Sequence, residues 1–118
     1  NHPSYSIEQF TKCKAQFLSE GFLNKHEKYI LWGYGKTGKA LARALAELGH
    51  CPSYIIELHP GRLGNRIMGA LVVPPEQLPQ LSKQPVVVSV ARPKPRGDVR
   101  AALKQMKFQE LRDYICTA

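Results

Sequence analysis

Apolar residues along this chain fall into short blocks, and their spacing separates predicted helices from predicted strands. Between residues 6 and 21 the apolar positions recur at helical intervals, which predicts an amphipathic helix with Ser6 as its N-cap. Its predicted buried face carries Ile7, Phe10, Phe17 and Leu18. Five largely apolar runs predict strands: YILW at 29–32, SYIIEL at 53–58, ALVV at 70–73, PVVVSVA at 85–91 and DYICTA at 113–118. The intervening patterns predict helices over 37–48, 74–81 and 98–107, the last capped by Asp98.

The order of these predicted elements indicates the fold class. After the first helix, strands alternate with helices, which is typical of a parallel sheet covered by helices on both faces. Right-handed crossovers leave few topologies for such a chain. We therefore predict an α/β, Rossmann-like three-layer fold with a parallel five-stranded sheet of order 3-2-1-4-5 and an extra N-terminal helix. The segment 59–69 is rich in glycine, proline and basic residues and predicts a loop.

A glycine motif, GYGKTG at 33–38, stands between the first strand and the next helix. In a dinucleotide-binding turn the first glycine, here Gly33, allows the sharp turn, and the second, Gly35, lets a pyrophosphate approach the backbone. The third, Gly38, lets the helix pack closely on the strands. The start of that helix also offers free N–H groups to an anion. The whole loop, with Tyr34, Lys36 and Thr37 between its glycines, is therefore a candidate nucleotide-binding site.

Further candidate residues follow the other strands. Glu57 stands nineteen positions beyond Gly38, and in such folds an acid about 20 residues on accepts hydrogen bonds from ribose hydroxyls. His59, Arg62 and Arg92 lie on loops expected at the same edge of the sheet, where phosphates bind. Arg62 could hold a pyrophosphate through its planar fork, or join His59 in holding a 2′-phosphate, and a solvated basic rim is the alternative for each cation.

The basic face of the last predicted helix has two interpretations. Arg100, Lys104 and Lys107 follow one another at helical spacing, so they are expected to line one face. That face is either merely solvated or a docking surface for an acidic partner.

Length and composition set limits on the class of protein. The chain has 118 residues, 43% of them apolar, and a net charge of +8, which fits one globular domain with an affinity for anions. No apolar run approaches the roughly 18 residues of a membrane span, and the start carries no secretory signal pattern. We expect the chain, which begins at Asn1, to be cut from a longer protein. Its three cysteines stand at wide spacings, which favours free thiols and a cytoplasmic location.

Several kinds of chemistry lack their sequence signals here. No metal-binding spacing, no G-x-S-x-G and no tyrosine followed four residues later by a lysine occurs, so we predict neither a metal site nor catalytic residues in this chain. The charge is compatible with nucleic acid, but no aromatic residues interleave with the cations, so we do not expect nucleic-acid binding. Binding is thus favoured over catalysis.

The sequence also resembles a known family. The runs LWGYGKTGKALARAL, HPGRLGNRIMGALVVPPEQLP, PVVVSVA and LRDYICTA are similar to the C-terminal Rossmann-like module of some bacterial family-two glycosyltransferases. The leading SIEQFTKCKAQFL looks like the linker helix of that module, which implies a linker over 1–27 and the module over 28–118. The layout also resembles the small nucleotide-sugar-binding domains of bacterial sugar acetyltransferases and polysaccharide-biosynthesis dehydratases.

Three functions remain open at this point. The resemblance implies a nucleotide or nucleotide-sugar binding module attached to a glycosyltransferase domain, with Gly33, Gly35, Gly38 and Glu57 at the site and any sugar transfer carried out by the attached domain. Candidate ligands are a UDP-sugar, NAD and NADP. The alternatives are an NAD(P)-binding oxidoreductase fragment and a scaffold that binds no nucleotide.

Overall fold

The computed structural model describes residues 7–58 and 61–117. Within them the elements are α1 (Ile7–Glu20), β1 (Lys28–Trp32), α2 (Lys36–Glu47), β2 (Cys51–Ile56), β3 (Arg66–Ile67), β4 (Ala70–Val73), a 3₁₀ helix (Pro75–Gln80), β5 (Val86–Val88), α3 (Pro93–Gln105) and β6 (Tyr114–Cys116). The predicted mixed α/β architecture with a mostly parallel sheet is confirmed.

The described sheet has six strands in the order β3-β4-β2-β1-β5-β6, not five in the order 3-2-1-4-5. All neighbouring pairs are parallel except β3 and β4. The five predicted strands, which are β4, β2, β1, β5 and β6, lie in their predicted relative order, and the additional strand β3 pairs with β4 at the edge of the sheet. It escaped prediction because it is only two residues long, Arg66 and Ile67, in a segment read as loop. The turn that joins it to β4 has Met68 at φ 53° and Gly69 at φ 81°, the backbone of a tight hairpin.

Side chains of β1 point alternately to two separate apolar layers. Tyr29 and Leu31 belong to the cluster that α1 and α2 cover, whereas Ile30 and Trp32 belong to the cluster beneath the 3₁₀ helix and α3. Because both faces are covered, the central strands consist of continuous apolar residues and not of an alternating pattern. This arrangement is a three-layer fold, with the carboxyl ends of β1, β2, β4 and β5 at one edge of the sheet.

The buried face of α1 differs from the predicted one. Leu18 of the predicted face is confirmed as buried, at 1% exposed, and packs in the core beside Ala15, but Phe10 and Phe17 of the same predicted face are 64% and 71% exposed. Thr11, Ala15 and Leu18 also recur at helical spacing and form a second stripe along the helix. Packing against α2 favours this second stripe, whose side chains are smaller than those of the two phenylalanines. The predicted N-cap, Ser6, lies outside the described residues.

A histidine helps to attach α1 to the sheet. His50, 7% exposed, lies directly before β2, and its Nε2 is 2.8 Å from the Ser19 hydroxyl of α1. Its Nδ1 lies 2.6 Å from the His26 carbonyl. The helix therefore shares hydrogen bonds as well as core residues with the rest of the chain, and a domain boundary at residue 27 stays a prediction.

The last helix begins earlier than predicted. It starts at Pro93, not at Asp98, because proline fits the first turn, where backbone N–H groups have no helical partner. It ends at Gln105, so Lys107 lies beyond it at φ 68° and does not share a helical face with Arg100 and Lys104. Arg100 is moreover paired with Glu110 at 3.1 Å. The predicted continuous basic face is therefore wrong.

Candidate functional site

A cleft of about 490 Å³ opens at the carboxyl edge of the sheet. Parallel strands bring their carboxyl ends to the same edge, which is where ligands bind in open α/β sheets. The described residues that line the cleft come from the loop after β1, the first turn of α2, the residue after β2, the segment after β5 and the start of α3. They are Gly33, Tyr34, Gly35, Lys36, Thr37, Gly38, Glu57, Ser89, Val90, Ala91, Arg92 and Pro95. The structure thus brings together the whole predicted glycine loop with Glu57 and Arg92.

Two of the three glycines are required by the fold itself. A Cβ on Gly33 would lie 2.6 Å from the Ser89 carbonyl oxygen, and the residue has φ 105°. A Cβ on Gly38 would lie 2.1 Å from the Gly33 carbonyl oxygen. Since no side chain fits at either position, Gly33 and Gly38 are needed for the close contact of β1, α2 and β5 whether or not the protein binds a ligand.

Gly35 has no such structural requirement. A Cβ on it would meet no atom within 4 Å, and its backbone, at φ −79° and ψ −164°, is open to any residue. It serves as the N-cap of α2 without a side chain to cap the first turn. Packing therefore does not explain why residue 35, at the mouth of the cleft, is a glycine. The close approach of a ligand to the backbone would require a residue without a side chain at this position.

An arginine joins the glycine loop to the acid after β2. The Arg62 Nη1 donates to a Glu57 carboxylate oxygen at 2.9 Å and to the Tyr34 carbonyl oxygen at 2.7 Å. The guanidinium also lies 5.9 Å from the centre of the Tyr34 ring. The pair is only partly covered, with 44% of the arginine side chain and 18% of the glutamate side chain exposed, so it contributes little stability. Its main effect is to offset the charge of Glu57 beside the loop.

The remaining predicted site residues differ in their positions. Lys36 and Thr37 are exposed at the first turn of α2, and Arg92 is exposed at the N-cap of α3, across the cleft. The Tyr34 side chain is 9% exposed and packs in the core, so its backbone, not its ring, faces the site. His59 lies outside the described residues.

An apolar cavity of about 330 Å³ continues from the cleft. The two spaces share Gly33, Glu57, Val90 and Pro95 among their lining residues. The further lining of the cavity is mostly apolar and includes Trp32, Ile56, Leu58, Pro75, Val99 and Ala102. The edge of the sheet therefore offers a polar cleft and an apolar slot on either side of Glu57.

Sequence reasoning missed Ser89, which the structure places at the floor of the cleft. It is 6% exposed, and its Oγ has no hydrogen-bond partner among the described residues. The available signal was a single hydroxyl inside the apolar run PVVVSVA, at the point where the strand ends. Polar residues that directly follow parallel strands are candidates for ligand contact.

Among the described residues, the groups with a shifted pKa lie outside the cleft. Burial raises the pKa of the Cys116 thiol, which keeps it protonated and weakly nucleophilic at neutral pH. Burial likewise raises the pKa of Tyr29, in the core. Within 7–58 and 61–117 no group of three or more histidine, cysteine, aspartate or glutamate side chains is placed to hold a metal ion, and no helix there is long and apolar enough to cross a bilayer.

Comparison with known proteins gives a likeness in fold. No protein-family model and no curated protein matches the sequence. Among solved structures, the chain is similar to RSP, whose crystal structure is a complex with beta-NAD+ and operator DNA, with a TM-score of 0.55 and 17% identity. The likeness covers 96% of this chain and 58% of RSP. It supports a Rossmann-like arrangement.

Proposed function

We propose that this domain binds a nucleotide at the carboxyl edge of the sheet, with the diphosphate against residues 33–38. The observation that carries the proposal is Gly35, whose missing side chain leaves the backbone open to the cleft and answers no packing need. The uncapped start of α2 beside it presents N–H groups and the positive end of a helix dipole. Lys36 and Arg92 add positive charge on opposite sides.

The other parts of a nucleotide have matching surroundings. Glu57 follows β2, where a ribose hydroxyl could donate to Oε1, the carboxylate oxygen that Arg62 does not engage and that accepts a 3.3 Å hydrogen bond from the Leu58 N–H. The apolar cavity next to it has the size and lining to accept a base. Phosphate, sugar and base are thus accommodated in sequence along one edge.

Two ligand classes are favoured by different observations. RSP has been solved with beta-NAD+, which favours a dinucleotide. The sequence resemblance to the glycosyltransferase-attached module favours a UDP-sugar, and an attached transferase domain rests on that resemblance alone. In either case we propose binding and not catalysis, because both carboxylates among the described lining residues are paired: Glu57 with Arg62, and Asp98, which lines the adjoining cavity, with Lys94.

Thermal unfolding of the 118-residue chain with NAD+, NADP+ or UDP-glucose tests the proposal. A ligand at 100 times its dissociation constant should stabilise the domain by about 2.7 kcal/mol. Gly35→Val should remove this stabilisation, since the side chain enters the cleft, while costing about 1 kcal/mol at most through the poorer N-cap.

Gly97→Val is the matched control, because Gly97 is exposed on α3, a Cβ on it would meet nothing within 4 Å, and it does not line the cleft. A wild-type chain that none of the three compounds stabilises, or a Gly35→Val chain stabilised as fully as the wild type, would contradict the proposal.

A further inference from the structure

The side chain of Ser89 is buried in an environment that does not satisfy it. The residue is 6% exposed, and its Oγ makes no hydrogen bond to any described residue. Its backbone is fixed: the N–H donates to the Trp32 carbonyl at 2.8 Å, and the carbonyl oxygen lies against Gly33. Among the side-chain and N–H groups of Ser89, the hydroxyl is the one without a partner among the described residues.

An unsatisfied hydroxyl is unfavourable at this position. Buried polar side-chain atoms nearly always have a hydrogen-bond partner, because the lost contact with water is otherwise not compensated. Alanine or valine would fit the apolar run at lower free energy. A hydroxyl kept at the floor of a cleft therefore indicates a partner that the polypeptide itself does not supply.

The start of α2 lies beside this hydroxyl. The Cβ of Ser89 is 3.6 Å from the point where a Cβ on Gly38 would stand, so the side chain lies under the first turn of the helix. That turn has no side-chain cap at Gly35, and the first N–H groups of a helix have no partner within it. Ser89 and the first turn of α2 thus line the same part of the cleft.

We propose that the Ser89 hydroxyl donates a hydrogen bond to a phosphate oxygen of the bound nucleotide, together with the N–H groups of the first turn of α2. This inference rests on the proposed function and adds to it a binding residue outside the glycine motif. The Oγ is covered in this structure, so binding includes a rotation about the Cα–Cβ bond that turns the hydroxyl toward the cleft. An oxyanion is the expected partner because Lys36 and Arg92 surround the cleft with cations.

Ser89→Ala gives the test, because it removes the hydroxyl and leaves the shape of the core nearly unchanged. The dissociation constants of NAD+ and UDP-glucose, and of the corresponding nucleosides adenosine and uridine, are measured by titration calorimetry with both chains. Of the two phosphate-bearing ligands, we consider the one that the wild-type chain binds. We expect the substitution to raise its dissociation constant roughly tenfold, which corresponds to ~1.4 kcal/mol. Affinity for the nucleoside, which has no phosphate, should stay the same. The melting temperature without ligand should be unchanged or higher, since an unsatisfied group is removed.

Thr117→Ala is the matched control. The Thr117 hydroxyl already donates to the Val88 carbonyl at 3.0 Å on the neighbouring strand, so its loss should lower the melting temperature and leave affinity unchanged.

Unaltered nucleotide affinity in Ser89→Ala would overturn the inference while the proposed function stands. An equal loss for nucleotide and nucleoside, or a lower melting temperature with full affinity, would assign the hydroxyl a structural role and overturn it as well. A wild-type chain that binds neither nucleotide would overturn the proposed function itself.

Discussion

Arg62 and Glu57 form an ion pair of 2.9 Å at the carboxyl edge of the sheet, and the same guanidinium nitrogen holds the backbone of the glycine loop through Tyr34. The pair sets the charge at the point where a ribose would lie. With Arg62 in place the charge of the carboxylate is offset, so under the proposed function either a ribose hydroxyl or a 2′-phosphate would be tolerated there. Without Arg62, the unpaired carboxylate of Glu57 would face the ribose hydroxyl or the 2′-phosphate.

Arg62→Ala should therefore shift the preference between NAD+ and NADP+. Because Glu57 then repels the 2′-phosphate, we expect the ratio of the NADP+ to the NAD+ dissociation constant to rise by about fivefold or more, equivalent to ~1 kcal/mol. The free energy of unfolding should fall by no more than about 1 kcal/mol, since the pair is partly exposed. Titration calorimetry and urea unfolding measure the two effects.

Arg66→Ala is the control for this change. Arg66 donates to the Gly69 carbonyl at 3.1 Å on the exposed hairpin and does not line the cleft. If the ratio of the NADP+ to the NAD+ dissociation constant is the same in Arg62→Ala as in Arg66→Ala, the ion pair of Arg62 and Glu57 does not control the charge next to the ligand.

Two glycines of the loop should respond differently to alanine. Gly38→Ala places a Cβ 2.1 Å from the Gly33 carbonyl oxygen, so the helix must move, and we expect a loss of at least about 3 kcal/mol of unfolding free energy. Gly35→Ala meets no neighbouring atom and should change the unfolding free energy by about 1 kcal/mol or less. Urea unfolding of the two variants side by side measures the contrast, and equal losses would show that the contact between α2 and β1 is looser than the structure has it.

The two aromatic residues on the outside of α1 lead to a third prediction. Phe17 is 71% exposed, whereas its neighbour Leu18 is 1% exposed. We expect Phe17→Ser to change the free energy of unfolding by about 0.5 kcal/mol or less and Leu18→Ala to lower it by roughly 2–5 kcal/mol. Should Phe17→Ser be the more destabilising of the two, Phe17 would be buried, as the sequence predicted, and not exposed.

The sequence predicted most of the fold because its strongest signals are local. Continuous apolar runs such as ALVV at 70–73 mark strands that are buried on both faces, and the alternation with helices leaves few ways to order them. The choice between two apolar stripes on α1 could not be predicted, since it depends on which side chains fit against α2. The hairpin of β3 was also hidden, because the strand has only two residues and its turn has a positive φ at Met68, a conformation expected at glycine, asparagine or aspartate and not at methionine.

The candidate site was predictable where it follows the glycine spacing and not where it depends on distant contacts. The loop at 33–38 and Glu57 come together at the edge of the sheet because each follows a parallel strand. That Arg62 holds the Tyr34 carbonyl as well as the nearby Glu57, and that Ser89 lies under the start of α2, result from contacts between segments far apart in the chain. Periodicity and motif spacing carry no information on such pairs.

A final prediction concerns acid stability, which involves Asp113 immediately before β6. Hydrogen bonds from Arg112 and then from the Gln109 backbone N–H lower the pKa of this carboxyl. The folded state therefore gains stability from the ionised form, fully present above the ordinary aspartate pKa of about 3.9 and lost as the pH falls through the lower pKa of the folded state. Asp113→Asn removes that contribution, so at pH 7 the variant should be less stable, and the difference from the wild type should shrink as the pH is lowered below about 4. Urea unfolding between pH 2 and 7 measures the difference in unfolding free energy between this variant and the wild type. Asp98→Asn, on the exposed face of α3, is the control that makes the same exchange at another position. A gap between Asp113→Asn and the wild type that stays constant over this range would mean that the carboxylate is not held by these donors.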